Sequence, residues 1–479
     1  SHSSRLLSVS GGMSLTVGGT AEINGYNISH DKGSLSFLST PSFSNSGSLS
    51  VSNGELVLQK GGTFDNSSVN FNASVFKPSG TVSVTSGGSF TLNNTSSIVL
   101  QGDTTLSQWE VEGSIGDMNW PELDLNGNSL TLGSEVNSLR IFSGALSIEN
   151  GESLISSSSH LNFAKTLAIE NGGELISGTG DVILAEPLTL NGELALAGGT
   201  FKVNESSTVS GKVSTAGNST IDVAGGKTVM FSDGVINTQN YELTLNNSGT
   251  FSFRQNTSGI VLNNPDGLLK LEGTGTVQDV QVTTASNAGK GIVVNASGSV
   301  STLKISADSE LKIANGKTLS GSADVATNKT LKLTGTGTLD SDLSLKGTMV
   351  ASGNLAVSGK ITVADNSTIS IPDTQTTLNY SGGNLVINAY TLTLAGDGTF
   401  SNASNSPIVL AVEESVLDLS GNGTVTGAIQ LDGCTLKASG SPTISGNITQ
   451  SDDAKIEVSS NKTLSYTGAS LSLGANKLT

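Results

Sequence analysis

Apolar residues in this chain recur two apart, not three or four apart. Leu331 and Leu333 form such a pair, and so do Leu343 and Leu345. On a strand, positions two apart lie on one face. Gly335 and Gly337 fall between pairs, where a tight corner needs permissive backbone angles. No long stretch follows the ~3.6-residue period of an amphipathic helix. The pattern predicts short strands joined by corners throughout.

The pairs also repeat at longer range. "LSIENGESLIS" starts at Leu146, "LAIENGGELIS" at Leu167 and "LTLNGELAL" at Leu188, each 21 residues after the last. "LKLEGTGTV" from Leu269, "LKLTGTGTL" from Leu331 and "LDLSGNGTV" from Leu417 share one frame, at spacings of 62 and 86 residues. "YELTLNNSGTF" from Tyr241 returns as "YTLTLAGDGTF" from Tyr390, 149 residues later. In both copies the step to the next Leu-x-Leu is longer, 26 and 25 residues, which predicts bulging loops at Arg254–Gly259 and Asn402–Pro407.

A unit of about 21 residues holds two or three short strands. It cannot bury an apolar face alone, but it can when stacked on its neighbours. The expected fold is therefore all-β: a parallel, right-handed β-helix or β-solenoid of about 21 residues per coil. Dividing the length by the period gives roughly 23 coils, and at ~4.8 Å per coil an elongated rod on the order of 110 Å. Residues 1–40 match the repeat weakly and read as divergent first coils or an N-terminal cap. Residues 41–479 read as continuous solenoid with an irregular insertion near 107–126. The last residues copy "TLNYSGGNLVINAYTLTL" from Thr377 and stop in mid-repeat, so the chain is expected to be a fragment of a longer protein.

Composition agrees with this reading and narrows the function. The chain has 59 glycines, and only 13% of its residues are charged, against about 25% in an average globular chain. The net charge of −17 is spread along the length. It disfavours nucleic acid, which needs clustered Lys and Arg, and it suits soluble, mutually repelling particles. No apolar run approaches the ~20 residues of a membrane-spanning helix. Cys434 is the one cysteine, so no internal disulfide and no cysteine-based metal site is expected.

The candidate chemical motifs are weak. Gly316-Lys317-Thr318 and Gly226-Lys227-Thr228 resemble the end of a P-loop. The glycine required five residues earlier is replaced by Leu311 and Ile221, and no helix follows. Lys-Thr-apolar recurs after Ala164, Asn328 and Asn461, which makes it a corner followed by a strand start. Polysaccharide-cleaving solenoids need convergent carboxylates, whereas only Asp340 and Asp342 pair here. Ice-binding solenoids stack Thr-x-Thr in register on a flat face. "GTGT" at Gly273 and Gly335 suggests one, but Thr-x-Thr does not recur every 21 residues. Asn-x-Ser/Thr at Asn66, Asn218, Asn295, Asn366 and Asn447 is explained by corner asparagines, which tolerate left-handed angles. No catalytic residue, cofactor site or metal site is expected.

The irregular stretch "SQWEVEGSIGDMNWPELDLN" contains both tryptophans, Trp109 and Trp120. They are the candidate ligand-binding residues, placed to stack on a sugar or anchor a protein. Alternatively they pack over an irregular coil and cover its edge.

The frame Leu-x-Leu-x-Gly-x-Gly-Thr-apolar, with "NYSGGNLVINAYTLTLAGDGTF" from Asn379, resembles the repeats of bacterial autotransporter passengers and related large surface adhesins. The resemblance covers most of the chain from about residue 41. It implies a secreted β-helix displayed on the cell surface and carries over no functional residue. No membrane-barrel domain, haemagglutination-type secretion segment or passenger protease motif accompanies it. The expected function is a structural or adhesive extracellular rod: a stalk, filament segment or adhesin shaft whose partners are other rods or a cell-surface glycan. The alternatives are a glycan- or protein-binding adhesin module and a polysaccharide-degrading β-helix.

Overall fold

The computed structural model describes residues 6–478 apart from 86–88, 94, 112–113, 116, 255–258, 263, 265, 279, 285–290, 404, 411 and 473–476. Among these residues there are strands and turns and no helix. The chain divides into two compact units, Ser1–Val235 and Ile236–Thr479. Both are β-solenoids of stacked parallel strands.

In the first unit a coil has three short strands. One sheet stacks Leu146–Ile148, Leu167–Ile169 and Leu188–Leu190, with Leu146 opposite Leu167 and Leu167 opposite Leu188. The 21-residue step in the sequence is thus one turn of the coil. A second sheet stacks Ser153–Ser156, Glu174–Ser177, Glu193–Leu196 and Lys212–Thr215. A third stacks His160–Phe163, Val182–Leu184, Thr200–Val203 and Ser219–Val223. Alternate residues point inward and are buried, among them Leu146, Ile148, Leu167, Ile169, Leu188 and Leu190. Each contributes roughly 1.5–3 kcal/mol by burial. At the start of the unit, Leu6–Val9 pairs in parallel with Asn27–Phe37, and Asn27–Phe37 with Ser48–Leu58.

The second unit repeats the plan. Leu243, Leu269, Ile292, Leu311 and Leu333 stand opposite one another on successive strands. The Gly-x-Gly corner explains its own conservation of form within the chain. Gly335 adopts φ 94°, and a Cβ there would lie 2.1 Å from the Ile313 carbonyl oxygen. Thr336 and Gly337 both donate backbone N–H bonds to that same oxygen, at 3.1 Å. Gly396 repeats the angle, at 94°.

Four of the five Lys-Thr segments form one corner design. Lys227, Lys317, Lys329 and Lys462 each close a turn by donating N–H to the carbonyl three residues earlier. The residue before each lysine is left-handed: Gly226 (φ 75°), Gly316 (69°), Asn328 (60°) and Asn461 (60°). Ala164, before the fifth, is not left-handed. The next N–H, from Thr228, Thr318, Thr330 or Thr463, goes to a side chain one coil below: Ser206, Ser297, Asp308 or Ser441.

A second corner uses a buried hydroxyl. Ser219 Oγ lies 2.9 Å from the Gly217 carbonyl and 3.2 Å from the Leu196 carbonyl one coil below. Ser367 repeats this with Asp365 and Leu345, at 2.7 and 2.8 Å. These serines follow Asn218 and Asn366, so this corner accounts for those two Asn-Ser-Thr triplets.

Eight cross-coil ion pairs reinforce the stacking and share one polarity. The acid lies on the earlier coil and the lysine on the later one in Glu55–Lys77, Asp181–Lys202, Glu193–Lys212 and Glu205–Lys227 of the first unit. Glu242–Lys270, Glu310–Lys332, Asp324–Lys346 and Asp418–Lys437 follow it in the second.

The loop expected at Arg254–Gly259 lies mostly outside the described residues. In the later copy the extra length is shared between two turns. One is closed by Ser406 N–H to the Ala403 carbonyl and one by Ser415 N–H to the Val412 carbonyl, both at 2.9 Å. Asn402 ties the first turn down, donating to the carbonyls of Ser406 (3.0 Å) and Ala428 (3.1 Å).

Candidate functional site

The coil regularity breaks where the tryptophans lie. Strand Thr104–Val111 slips register against both neighbours just after Leu106. Its end pairs antiparallel with Ser114–Ile115, the one antiparallel pairing among the described strands. Strict alternation from the buried Leu106 would turn Trp109 outward, but the slip turns it inward. Trp120, on Asp117–Trp120, follows the buried Met118 by two and also faces inward.

Both indoles are core residues, 2% and 1% exposed. Their rings meet edge to face at 6.1 Å, and Trp109 meets Phe90 at 4.9 Å. Neither ring offers a surface for stacking a sugar. Trp120 Nε1 is buried without a hydrogen-bond partner, a cost that aromatic packing offsets. A half-open cavity of about 240 Å³ lies against this cluster, lined by Phe90, Thr91, Leu92, Trp109, Met118, Asn119, Trp120 and Phe142.

A larger polar groove, about 620 Å³, runs over Gly173, Gly192, Gly211 and Gly234, with Glu174, Glu193, Lys212 and Asp233 on its walls. Glu174 and Glu193 are register partners on adjacent strands, and Lys212 neutralises Glu193 at 2.7 Å.

Several other titratable groups are engaged within the fold. Asp340 accepts from Ser358 Oγ at 2.6 Å and Asp342 from Lys360 N–H at 3.0 Å, so each is engaged with the next coil. Glu152 is buried and accepts backbone N–H bonds from Gly127 (2.6 Å) and Glu149 (2.7 Å). Burial pushes the Cys434 thiol above its ordinary range, away from a reactive thiolate. Burial likewise raises the Tyr380 hydroxyl, which accepts the Ile361 N–H at 3.3 Å. His160 Nδ1 accepts the Asp181 N–H at 3.0 Å. Among the described residues no group of three or more His, Cys, Asp or Glu side chains is arranged to hold a metal ion.

No family model matches the sequence, and no curated protein is detectably similar to it. What fold and site define together is a class: a repeat protein of the β-solenoid type.

Proposed function

We propose that the chain is a structural shaft of an extracellular surface protein, a stalk, filament segment or adhesin shaft without catalytic activity. The observation that supports this reading is where the outward side chains go. Acids and lysines that would have to converge for catalysis are instead paired between adjacent coils, from Glu55–Lys77 to Asp418–Lys437. Such a stack transmits tension through many small, repeated contacts. The buried indoles do not favour the glycan-binding alternative.

Single-molecule pulling between the chain ends tests the mechanical reading. Stepwise extension, in increments of about one coil, is expected at forces above those that unravel an unstacked chain. Extension without force peaks would refute the shaft. Antibody labelling of intact source cells tests the extracellular location, and signal only after lysis would refute it.

A further inference from the structure

Five successive coils of the second unit set Thr377–Tyr380, Thr399–Asn402, Thr424–Val425, Thr443–Ile444 and Ser465–Tyr466 side by side. Thr377 stands opposite Thr399, Thr399 opposite Thr424, Thr424 opposite Thr443, and Thr443 opposite Ser465. Two residues along, a second column begins with Asn379 opposite Ser401. Thr426, Ser445 and Thr467 continue it, donating backbone N–H bonds to Phe400, Val425 and Ile444. On the first four coils the residue between the columns is buried, so both columns face outward.

Nine of these ten positions carry a hydroxyl, one carries an amide, and none is charged. None of the ten side chains hydrogen-bonds within the protein. Ser153 and Thr334 differ: Ser153 bonds Ser129 at 2.8 Å and Thr334 bonds Glu310 at 2.7 Å across coils. The array therefore offers its full donor and acceptor capacity to whatever lies above it. Its repeat is ~4.8 Å between coils and ~6.6 Å along each strand. Six of the ten are β-branched threonines with few rotamers, so much of the lattice is set before anything binds. A side-chain chain along the adjoining corner holds the coil spacing: Asn422 donates to Asp397 at 3.0 Å, and Ser441 N–H to Asn422 at 3.3 Å.

We propose that this face binds ice. A hydroxyl both donates and accepts, as water does, whereas a carboxylate or ammonium does only one. An uncharged, in-register hydroxyl lattice templates ordered water. A crystalline polysaccharide is less favoured, because no aromatic ring stands outward in either column to stack on sugars. The rows begin 22, 25, 19 and 22 residues apart. Only Thr424 and Thr426 form a Thr-x-Thr pair, so a search for that pair at a fixed 21-residue period misses the array.

The test uses the full chain in a freezing-point and ice-morphology assay, with recrystallisation in frozen sucrose as the second readout. Wild type should facet growing crystals and hold a thermal hysteresis gap. Thr424→Lys, at the centre of the array, should lose both, with an unchanged circular dichroism spectrum. Thr362→Lys, exposed on a strand of the coil that precedes the array, should keep both. If Thr424→Lys fails to fold, Thr443→Lys on the next coil is read instead. Round crystals with wild type, full activity in a folded array variant, or capture by crystalline cellulose or chitin but not by ice would overturn the proposal.

Discussion

Between Phe37 and Trp120 the interior of the first unit is rich in aromatic rings among its aliphatic residues, and between Leu146 and Val223 it is almost wholly aliphatic. In the first stretch rings touch in a continuous run, from Phe37–Phe43 at 5.8 Å and Phe43–Phe64 at 4.8 Å to Phe90–Trp109 and Trp109–Trp120. In the second, register sets Phe163 against Leu184 and Phe201 against Val182 instead of against other rings. The backbone ladders are alike, yet the errors are not evenly spread. Buried polar atoms without partners occur at Trp120 in the aromatic stretch and at His30 just before it, and none is found among described residues 146–223. The register slip and the antiparallel pair also fall in the aromatic stretch. Aliphatic side chains let the coils of this stretch stack without a register slip, even as coil length changes. Bulky rings force each coil to adjust to the one below, and polar groups are stranded in the process.

Truncation should separate the two fillings most widely. Trp120→Ala is expected to lower local stability by about 3–5 kcal/mol, and Leu167→Ala by about 2–5 kcal/mol. Hydrogen exchange across the flanking strands is the right measure, because solenoids open coil by coil. A smaller loss at Trp120 than at Leu167 would mean that the aromatic stretch collapses around the gap, and the contrast in rigidity would fail. His30→Leu probes the stranded polar group. His30 is fully buried with neither ring nitrogen bonded, and the Cα of Gly54 packs so close that a Cβ there would lie 3.2 Å from the imidazole. An apolar replacement should raise stability of the strands Asn27–Phe37 and Ser48–Leu58 by about 1–3 kcal/mol. A loss would show that the imidazole is better accommodated than its missing partners indicate.

The fold was legible because Leu-x-Leu starts and Gly-x-Gly corners mark coil boundaries directly; Leu146, Leu167 and Leu188 are register partners as their spacing predicts. The Lys-Thr segments were legible as corners for the same local reason. The tryptophans were not, since the slip after Leu106 inverts which face Trp109 occupies, and nothing in the one-dimensional pattern marks that slip. The hydroxyl array escaped for a related reason. Turns of unequal length between coils, such as those at Ala403–Ser406 and Val412–Ser415, shift the sequence interval without disturbing the ladder. Period in sequence and register in space agree only where turns are uniform, as they are from Leu146 to Leu188.

The smallest expected effect lies in that aliphatic stretch and asks whether its ion pairs add to a core already closed. Partial burial pushes the Asp181 carboxyl upward, but the Lys202 ammonium at 2.6 Å and the Thr200 N–H outweigh it and hold it below the usual carboxylate range. A carboxyl lowered in the folded state stabilises fully above its unfolded value of about 3.9. That contribution is lost as pH falls through the lowered folded value, where the native carboxylate takes up its proton. Lys202→Met should therefore cost about 0.2–1 kcal/mol near neutral pH, as expected of a partly exposed pair, and less in high salt. The difference from wild type should shrink as the medium is acidified below pH ~4 and vanish once Asp181 is protonated. Urea denaturation of both proteins across that range reads it out. A gap that persists in acid would assign the effect to packing of the lysine stem along the sheet. The aliphatic stretch would then owe its regularity to burial alone.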